Sequence, residues 1–256
     1  MSARCVAITG STTGIGYGMA EAFARSGARL VINSHLADDA GALAKLGAIT
    51  ETHFVQADLS SVAGARFFIE QAKSKLGRLD TLVNNAGTFR DGPTFDELTE
   101  EQFDITFNLN VKGYLFASQA FVKAIEPGQE DPSIVCIGSK NSLIAEKGSV
   151  IYDTSKGAVL MMIRSMAVSL ASRGIRVNGI GPGIIETPLT IGGLDRPGAR
   201  DIWNKFVPLG RVGKPSDIGG VAVFLASEAA GYVTGEMIYV EGGVNAYQRG
   251  WDALGQ

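Results

Sequence analysis

Short apolar runs alternate with longer stretches of helical spacing from one end of the chain to the other, and this alternation limits the folds open to it. Runs at residues 4–9, 28–33, 53–57, 79–84, 133–138, 175–180 and 236–240 have strand length. Between them, residues 15–26, 37–46, 61–76, 99–124, 150–173 and 215–227 carry apolar side chains at i, i+3 and i+4, the spacing of one helix face. Several runs, such as RCVAIT and SIVCIG, are rich in Val, Ile and other apolar residues without strict polar alternation. Parallel strands covered on both faces read this way. The pattern predicts an α/β chain, a doubly wound parallel sheet of about seven strands with helices on both faces. No linker, repeat or low-complexity segment divides it, so residues 1–256 are expected to form a single domain.

The composition narrows the function classes. Hydrophobic residues make up 45% of the chain and charged residues 19%, which is ample for a buried core and carries no sign of disorder. A formal net charge of −3 supplies no basic field for nucleic acid or an anionic membrane, so neither is an expected partner. No apolar run approaches the ~20 residues that span a bilayer. Cys5 and Cys136 stand alone in apolar runs and are expected to be buried free thiols, which suits a reducing cytosol. The opening MSARCVAITG enters a strand too soon for a secretion signal, so the expected location is cytoplasmic. With two His and no Cys/His cluster, no metal site is expected.

The first strand ends in TGSTTGIG, residues 9–16, and a helix opens at once. Gly10, Gly14 and Gly16 sit where a tight turn, a close phosphate approach and helix–strand packing need them, with Ser11, Thr12, Thr13 and Ile15 completing the loop. The helix N-terminus behind it offers free N–H groups to a pyrophosphate, so the segment predicts a dinucleotide site. The second strand ends Asn33-Ser34-His35, without the acid that usually reads the NAD ribose and without a cation for a 2′-phosphate. NAD and NADP therefore both stay open, with NAD slightly favoured, and His35 reads equally well as a solvated loop residue. Asp58-Leu59 after the third strand can meet an adenine ring or start the next helix. Asn85, Ala86 and Gly87 after the fourth strand suit a wall beside a cofactor. Asn110 lies inside a long helical pattern, where an amide on an apolar face can also mark a bend.

Downstream, Ser139 is followed by Tyr152 thirteen positions on and by Lys156 four after that. On a helix, Tyr152 and Lys156 share one face about a turn apart. A cation beside a phenol favours the phenolate. At roughly 4 Å and an effective dielectric of about 20, it contributes about 4 kcal/mol, enough to bring the group toward neutral pH, where a general base works best.

Four segments in this order and spacing resemble a short-chain dehydrogenase/reductase over nearly the full length: Thr9–Gly16, Asn84–Gly87, Tyr152–Lys156 and Pro182–Thr187. The resemblance implies a Rossmann-like single domain and a nicotinamide cofactor. It also implies that Asn110, Ser139, Tyr152 and Lys156 are the catalytic residues. In that scheme Tyr152 takes or gives the proton, Ser139 holds the substrate oxygen, Lys156 lowers the phenol pKa and holds the ribose, and Asn110 holds a water leading to solvent. Pro182, Gly183, Ile185 and Thr187 would line the carboxamide end of the cofactor, and Asn85 its ribose.

For the substrate, the Gly- and Pro-rich stretch at about 186–213 reads as a mobile lid. Arg196 and Trp203 on it, with Lys140 and Asn141 beside Ser139, are the candidate substrate contacts. The C-terminal half is most similar to glucose 1-dehydrogenase-like sugar dehydrogenases, so the expected substrate is a sugar or polyol. Two alternatives stand beside it. One is a 3-oxoacyl-carrier-protein reductase, which would need a basic surface where the chain reads IEPGQEDPS. The other is a silent dinucleotide-sensing protein, which would be expected to lack one of the reacting side chains. The resemblance further implies a homotetramer paired through the helices at 99–124 and 150–173. The tail beyond Gly243, with Tyr247 and Trp251, is expected to dock, since an exposed aromatic end is unusual.

Overall fold

In the computed structural model, which describes residues 3–37, 41–92 and 94–247, seven strands form one parallel sheet. In chain order the first elements are β1 (Cys5–Ile8), α1 (Gly14–Arg25), β2 (Arg29–Ser34), α2 (Ala42–Gly47), β3 (Thr52–Gln56), α3 (Val62–Leu76) and β4 (Thr81–Asn84). Then come α4 (Glu100–Phe107), α5 (Tyr114–Ala124), β5 (Ser133–Ile137), α6 (Val150–Leu170) and β6 (Arg176–Pro182). The chain closes with α7 (Ile191–Leu194), α8 (Ala199–Phe206), α9 (Pro215–Leu225) and β7 (Met237–Val240). The strand order is β3-β2-β1-β4-β5-β6-β7, with Ile8 of β1 opposite Ile32 on one side and Val83 on the other.

The strand residues lack polar alternation because both faces are buried. Ala7, Val31, Leu82, Ile134, Cys136 and Val177 pack against Phe68 and Ala72 of α3, Phe121 of α5, and Val159 and Ile163 of α6. Their neighbours Val6, Ile8, Leu30, Ile32, Val83, Val135 and Ile180 face the opposite way, onto Met19 and Phe23 of α1, Leu46 of α2, and Ile218 and Leu225 of α9. One run of residues thus feeds two cores through the two-residue period of the strand. Cys5 and Cys136 are both free and buried. Among the described residues, no helix is long and apolar enough to cross a membrane.

Two expectations need correction. The helix expected at 37–46 begins at Ala42, and residues 38–40 lie outside the described ones. The helix expected at 99–124 is broken by a π-helical turn at Asn108–Gly113. Gly113 there passes so close to β3's following loop that a Cβ would stand 2.4 Å from the Leu59 carbonyl oxygen. The wider turn also brings Asn110 fully inside. The lid expected at 186–213 contains two short helices, α7 and α8. Its ends are joined by a parallel bridge between Ile185 and Gly213, where Glu186 N donates to Gly213 O (2.9 Å) and Gly213 N to Ile184 O (2.9 Å). The tail expected to dock lies outside the described residues beyond Tyr247.

Candidate active site

The chain leaves β1 for β2 and β3 on one side and returns through β4 on the other, so the C-terminal ends of β1 and β4 open a crevice at the switch in strand order. The loop after β1 is built into this crevice. Gly10 has φ +59°, and a Cβ on Gly16 would stand 2.2 Å from the Gly10 carbonyl oxygen. Only glycine permits that turn and that approach. Thr9 Oγ1 accepts from Asn85 N (2.8 Å) and Ala86 N (3.0 Å), while Asn85 Nδ2 donates to Thr9 O (3.0 Å) and Gly10 O (2.8 Å). At the start of α1, Thr13 makes no side-chain cap and the first turn holds no acid. Its N–H groups are left for an anion, and the cradle fits the pyrophosphate of a dinucleotide. Thr187 and Pro188 lie across the opening, 3.3 and 3.6 Å from where a Gly14 Cβ would be.

Several expected cofactor contacts have other duties. Ser11 is fully buried: its hydroxyl donates to Ile8 O (2.7 Å) and accepts from Asn33 N (2.9 Å), so its side chain joins β1 to β2. Asn85 holds the glycine loop through its amide donors, as above. Leu59 is buried at 4% exposure and packs in the core, while exposed Asp58 accepts from Ser60 N at 2.9 Å. Ser34 Oγ accepts from Leu36 N (3.1 Å), and exposed His35 accepts from Gln56 Nε2 through its carbonyl (3.1 Å). Gly183 N donates to Val240 O at the end of β6, which fixes the turn after Pro182. Ile185 is buried, and Thr187 is tied to Thr190 through its N–H (3.0 Å) and hydroxyl (3.1 Å).

The four residues read as catalytic converge. Ser139 follows β5; its hydroxyl accepts from Asn141 N (3.1 Å) and lies close enough to the Tyr152 phenol to favour its ionised form. Lys156, one turn along α6, is buried. Its Nζ donates to Ile137 O (2.9 Å) and stands 5.6 Å from the ring centroids of both Tyr152 and Tyr114. Asn110 donates to Thr88 O (3.0 Å) and Ser155 Oγ (3.0 Å) and accepts from Thr88 N (2.9 Å), so both ends of its amide are bonded to protein.

Their electrostatics differ from the expectation that the lysine makes the phenol acidic. Burial pushes the Tyr152 pKa up to about 12; the Ser139 hydroxyl opposes this, and Asp153 and Glu146 reinforce it. Burial also lowers Lys156 to about 8. The ammonium bonds a carbonyl and faces two rings, and desolvation outweighs its attraction for the phenolate.

Lys140 and Asn141, read as candidate substrate contacts, lie in a hydrogen-bonded network. Both are buried. Lys140 Nζ donates to Asn141 Oδ1 (2.8 Å) and Glu146 Oε2 (3.0 Å), and Asn141 Nδ2 to Asp153 Oδ1 (2.6 Å). Their polar groups brace the loop behind Ser139. Within residues 186–213, Trp203 packs edge-on against Phe206 at 5.2 Å, and Arg196 is exposed.

Sequence reasoning missed Asp91, Thr88, Ser155, Glu146 and Asp153. Asp91, Thr88 and Ser155 act through contacts across tens of residues that no local spacing reveals; Glu146 and Asp153 bond within twelve residues, across a loop without helix or strand periodicity to place them.

Residues 10–245 match the family described as enoyl-(acyl carrier protein) reductase, adh_short_C2. The chain is 36% identical to a galactitol 2-dehydrogenase (L-tagatose-forming) of Cereibacter sphaeroides, over 96% of this chain and 97% of that protein. It is 35% identical to an L-rhamnose-1-dehydrogenase of Scheffersomyces stipitis, over 95% and 96%. A crystal structure of a 3-oxoacyl-[acyl-carrier protein] reductase from Brucella melitensis in complex with NAD superposes with a TM-score of 0.90 at 30% identity, covering 97% of this chain and 100% of that one. Matches of this extent, on a sheet of this order, establish that the chain belongs to the short-chain dehydrogenase/reductase family and is an NAD(P)-dependent oxidoreductase.

Proposed function

We propose that the protein transfers a hydride between NAD(P) and a hydroxyl-bearing carbon of a sugar or polyol, with Tyr152 as the proton-transfer group. The full-length similarity to galactitol and rhamnose dehydrogenases carries the substrate class. The neighbouring Ser139 and Tyr152 hydroxyls, with Lys156 behind them, support the proton chemistry.

The bound nicotinamide supplies the hydride acceptor or donor. Gly10 to Gly16 and the α1 N-terminus would hold the pyrophosphate, Lys156 would hold the ribose, and Ile185 and Thr187 would bind the carboxamide end. Ser139 keeps the substrate oxygen against the Tyr152 hydroxyl, which gives its proton in reduction and takes one in oxidation. With its pKa near 12 the phenol is neutral at ordinary pH, so the protein without ligands is prepared to donate. Oxidation needs the phenolate and speeds up as pH rises.

NAD is the favoured cofactor, because β2 ends in Asn33-Ser34-His35 with no cation to hold a 2′-phosphate. In this reading the chain is a homotetramer, supported by exposed Leu115 on α5 and Met161 and Val168 on α6; a monomeric mass by light scattering contradicts it. An absorbance screen at the nicotinamide band tests the function, with both cofactors against aldoses, polyols, simple alcohols and a 3-oxoacyl thioester. Turnover of sugars or polyols is expected. Preference for the thioester shifts the reading to acyl reduction, and cofactor binding without turnover on any arm shifts it to a binding protein.

A further inference from the structure

Helix α6, which carries Tyr152, lacks the usual local cap. Ser149 stands at its start but makes no side-chain cap bond. The first-turn N–H groups are met by a residue some sixty positions upstream: the Asp91 carboxylate accepts from Ile151 N at 2.8 Å through Oδ2 and from Tyr152 N at 3.0 Å through Oδ1. Asp91 belongs to the loop that continues from Asn85–Gly87, and that loop grips Tyr152 twice more. Phe89 meets the Tyr152 ring edge-on, with centroids 5.4 Å apart. Thr88 binds the Asn110 amide at both ends, Asn110 donates to Ser155 Oγ, and Ser155 donates to the Tyr152 carbonyl at 2.7 Å. One loop therefore fixes the backbone N–H, the backbone carbonyl and the ring of the same tyrosine.

We propose that Asp91 is a positioning residue for proton transfer, locking Tyr152 in register with the loop after β4 that walls the cofactor crevice. This rests on reading Tyr152 as the proton-transfer group. A plain helix cap would need only a local acceptor. A cap from this loop instead couples the position of the phenol to the wall of the crevice. A misplacement of about 1 Å at a reacting group costs on the order of a hundredfold in rate. Cofactor affinity rests on the glycine loop with Lys156, Ile185 and Thr187, side chains that Asp91 does not bond, so it is expected to survive the change.

The test uses full-length Asp91→Ala, Asp91→Asn and Tyr152→Phe, measured for kcat, substrate and cofactor KM, cofactor Kd by fluorescence, and thermal midpoint. Asp91→Ala is expected to lose about ten- to a hundredfold in kcat with cofactor Kd unchanged. Asp91→Asn keeps one acceptor oxygen and should recover part of that loss. Wild-type kcat in Asp91→Ala overturns the proposal. So does a loss of kcat that runs in proportion to lost cofactor affinity, because that marks general damage to the fold. If Tyr152→Phe is inert while Asp91→Ala is normal, only the role of Asp91 fails. If Tyr152→Phe keeps turnover, the reading of the tyrosine fails and Asp91 with it.

Discussion

At Lys156 stability and chemistry pull in opposite directions. The ammonium is almost fully buried, bonds one carbonyl and faces two aromatic rings, and its pKa falls from 10.5 to about 8. Below about 8 both the folded and unfolded chains hold the proton, so the folded state bears the whole desolvation cost. As pH rises from there toward 10.5 the folded state binds fewer protons than the unfolded one, and stability increases. Tyr152 works the other way: its pKa is raised from 10.0 to about 12, so its contribution is present below 10 and is lost as pH climbs through that window. Lys156→Met should therefore stabilise the protein near neutral pH by about 2 kcal/mol in urea unfolding, while turnover collapses. The Ile137 carbonyl keeps a donor, since Tyr114 OH also reaches it at 3.3 Å. A destabilised Lys156→Met would show that the ammonium is a net support of the fold. Ser139, Tyr152 and Lys156 stood out in the sequence through the family resemblance, since a Tyr and a Lys four residues apart also occur on many surface helices. The direction of the tyrosine's shift was not, because a sequence shows which charges are near but not how much water surrounds them.

Among the elements, the break between α4 and α5 links packing to the site. A continuous α-helix over 99–124 would carry Asn110 on a different azimuth; the π turn at Asn108–Gly113 rotates it inward to reach Thr88 and Ser155. Gly113 permits this because the Leu59 carbonyl stands where its side chain would be. Gly113→Ala is expected to cost about 1–3 kcal/mol and to lower kcat through displaced Asn110. Unchanged stability by denaturant titration would mean that the turn gives way freely. The apolar period across 99–124 reads as one helix because a single widened turn shifts the phase too little to show in the pattern. The lid's two short helices were hidden for a different reason. Four and eight residues flanked by Gly and Pro carry too few repeats to stand out.

Across the whole molecule the two edges of the sheet divide the work. The C-terminal ends of the strands carry the crevice, and the N-terminal ends carry an ionic clasp. Asp131 accepts from Arg176 Nε at 2.8 Å and from Arg4 Nη2 at 2.9 Å, while buried Arg176 also donates to Leu225 O at 2.7 Å. Asp131→Asn retains a residue that tolerates its φ of +47° but leaves the Arg176 charge uncompensated. The expected loss is about 3 kcal/mol by chemical unfolding with kcat/KM unchanged, because the clasp is remote from Tyr152. A changed kcat/KM at intact stability would join the two edges in a way this account denies. The sheet itself was legible end to end because its inner strands are buried on both faces and the half-buried edge strands β3 and β7 still carry short apolar runs; the clasp was not, since its partners are far apart in sequence. The central claim, that Tyr152 carries the proton for a nicotinamide-dependent oxidoreductase, is tested most directly by kcat of Tyr152→Phe on the best substrate of the screen, with cofactor affinity measured alongside. A fall of at least about a hundredfold with cofactor Kd unchanged is expected. Turnover within about tenfold of the wild type would contradict it.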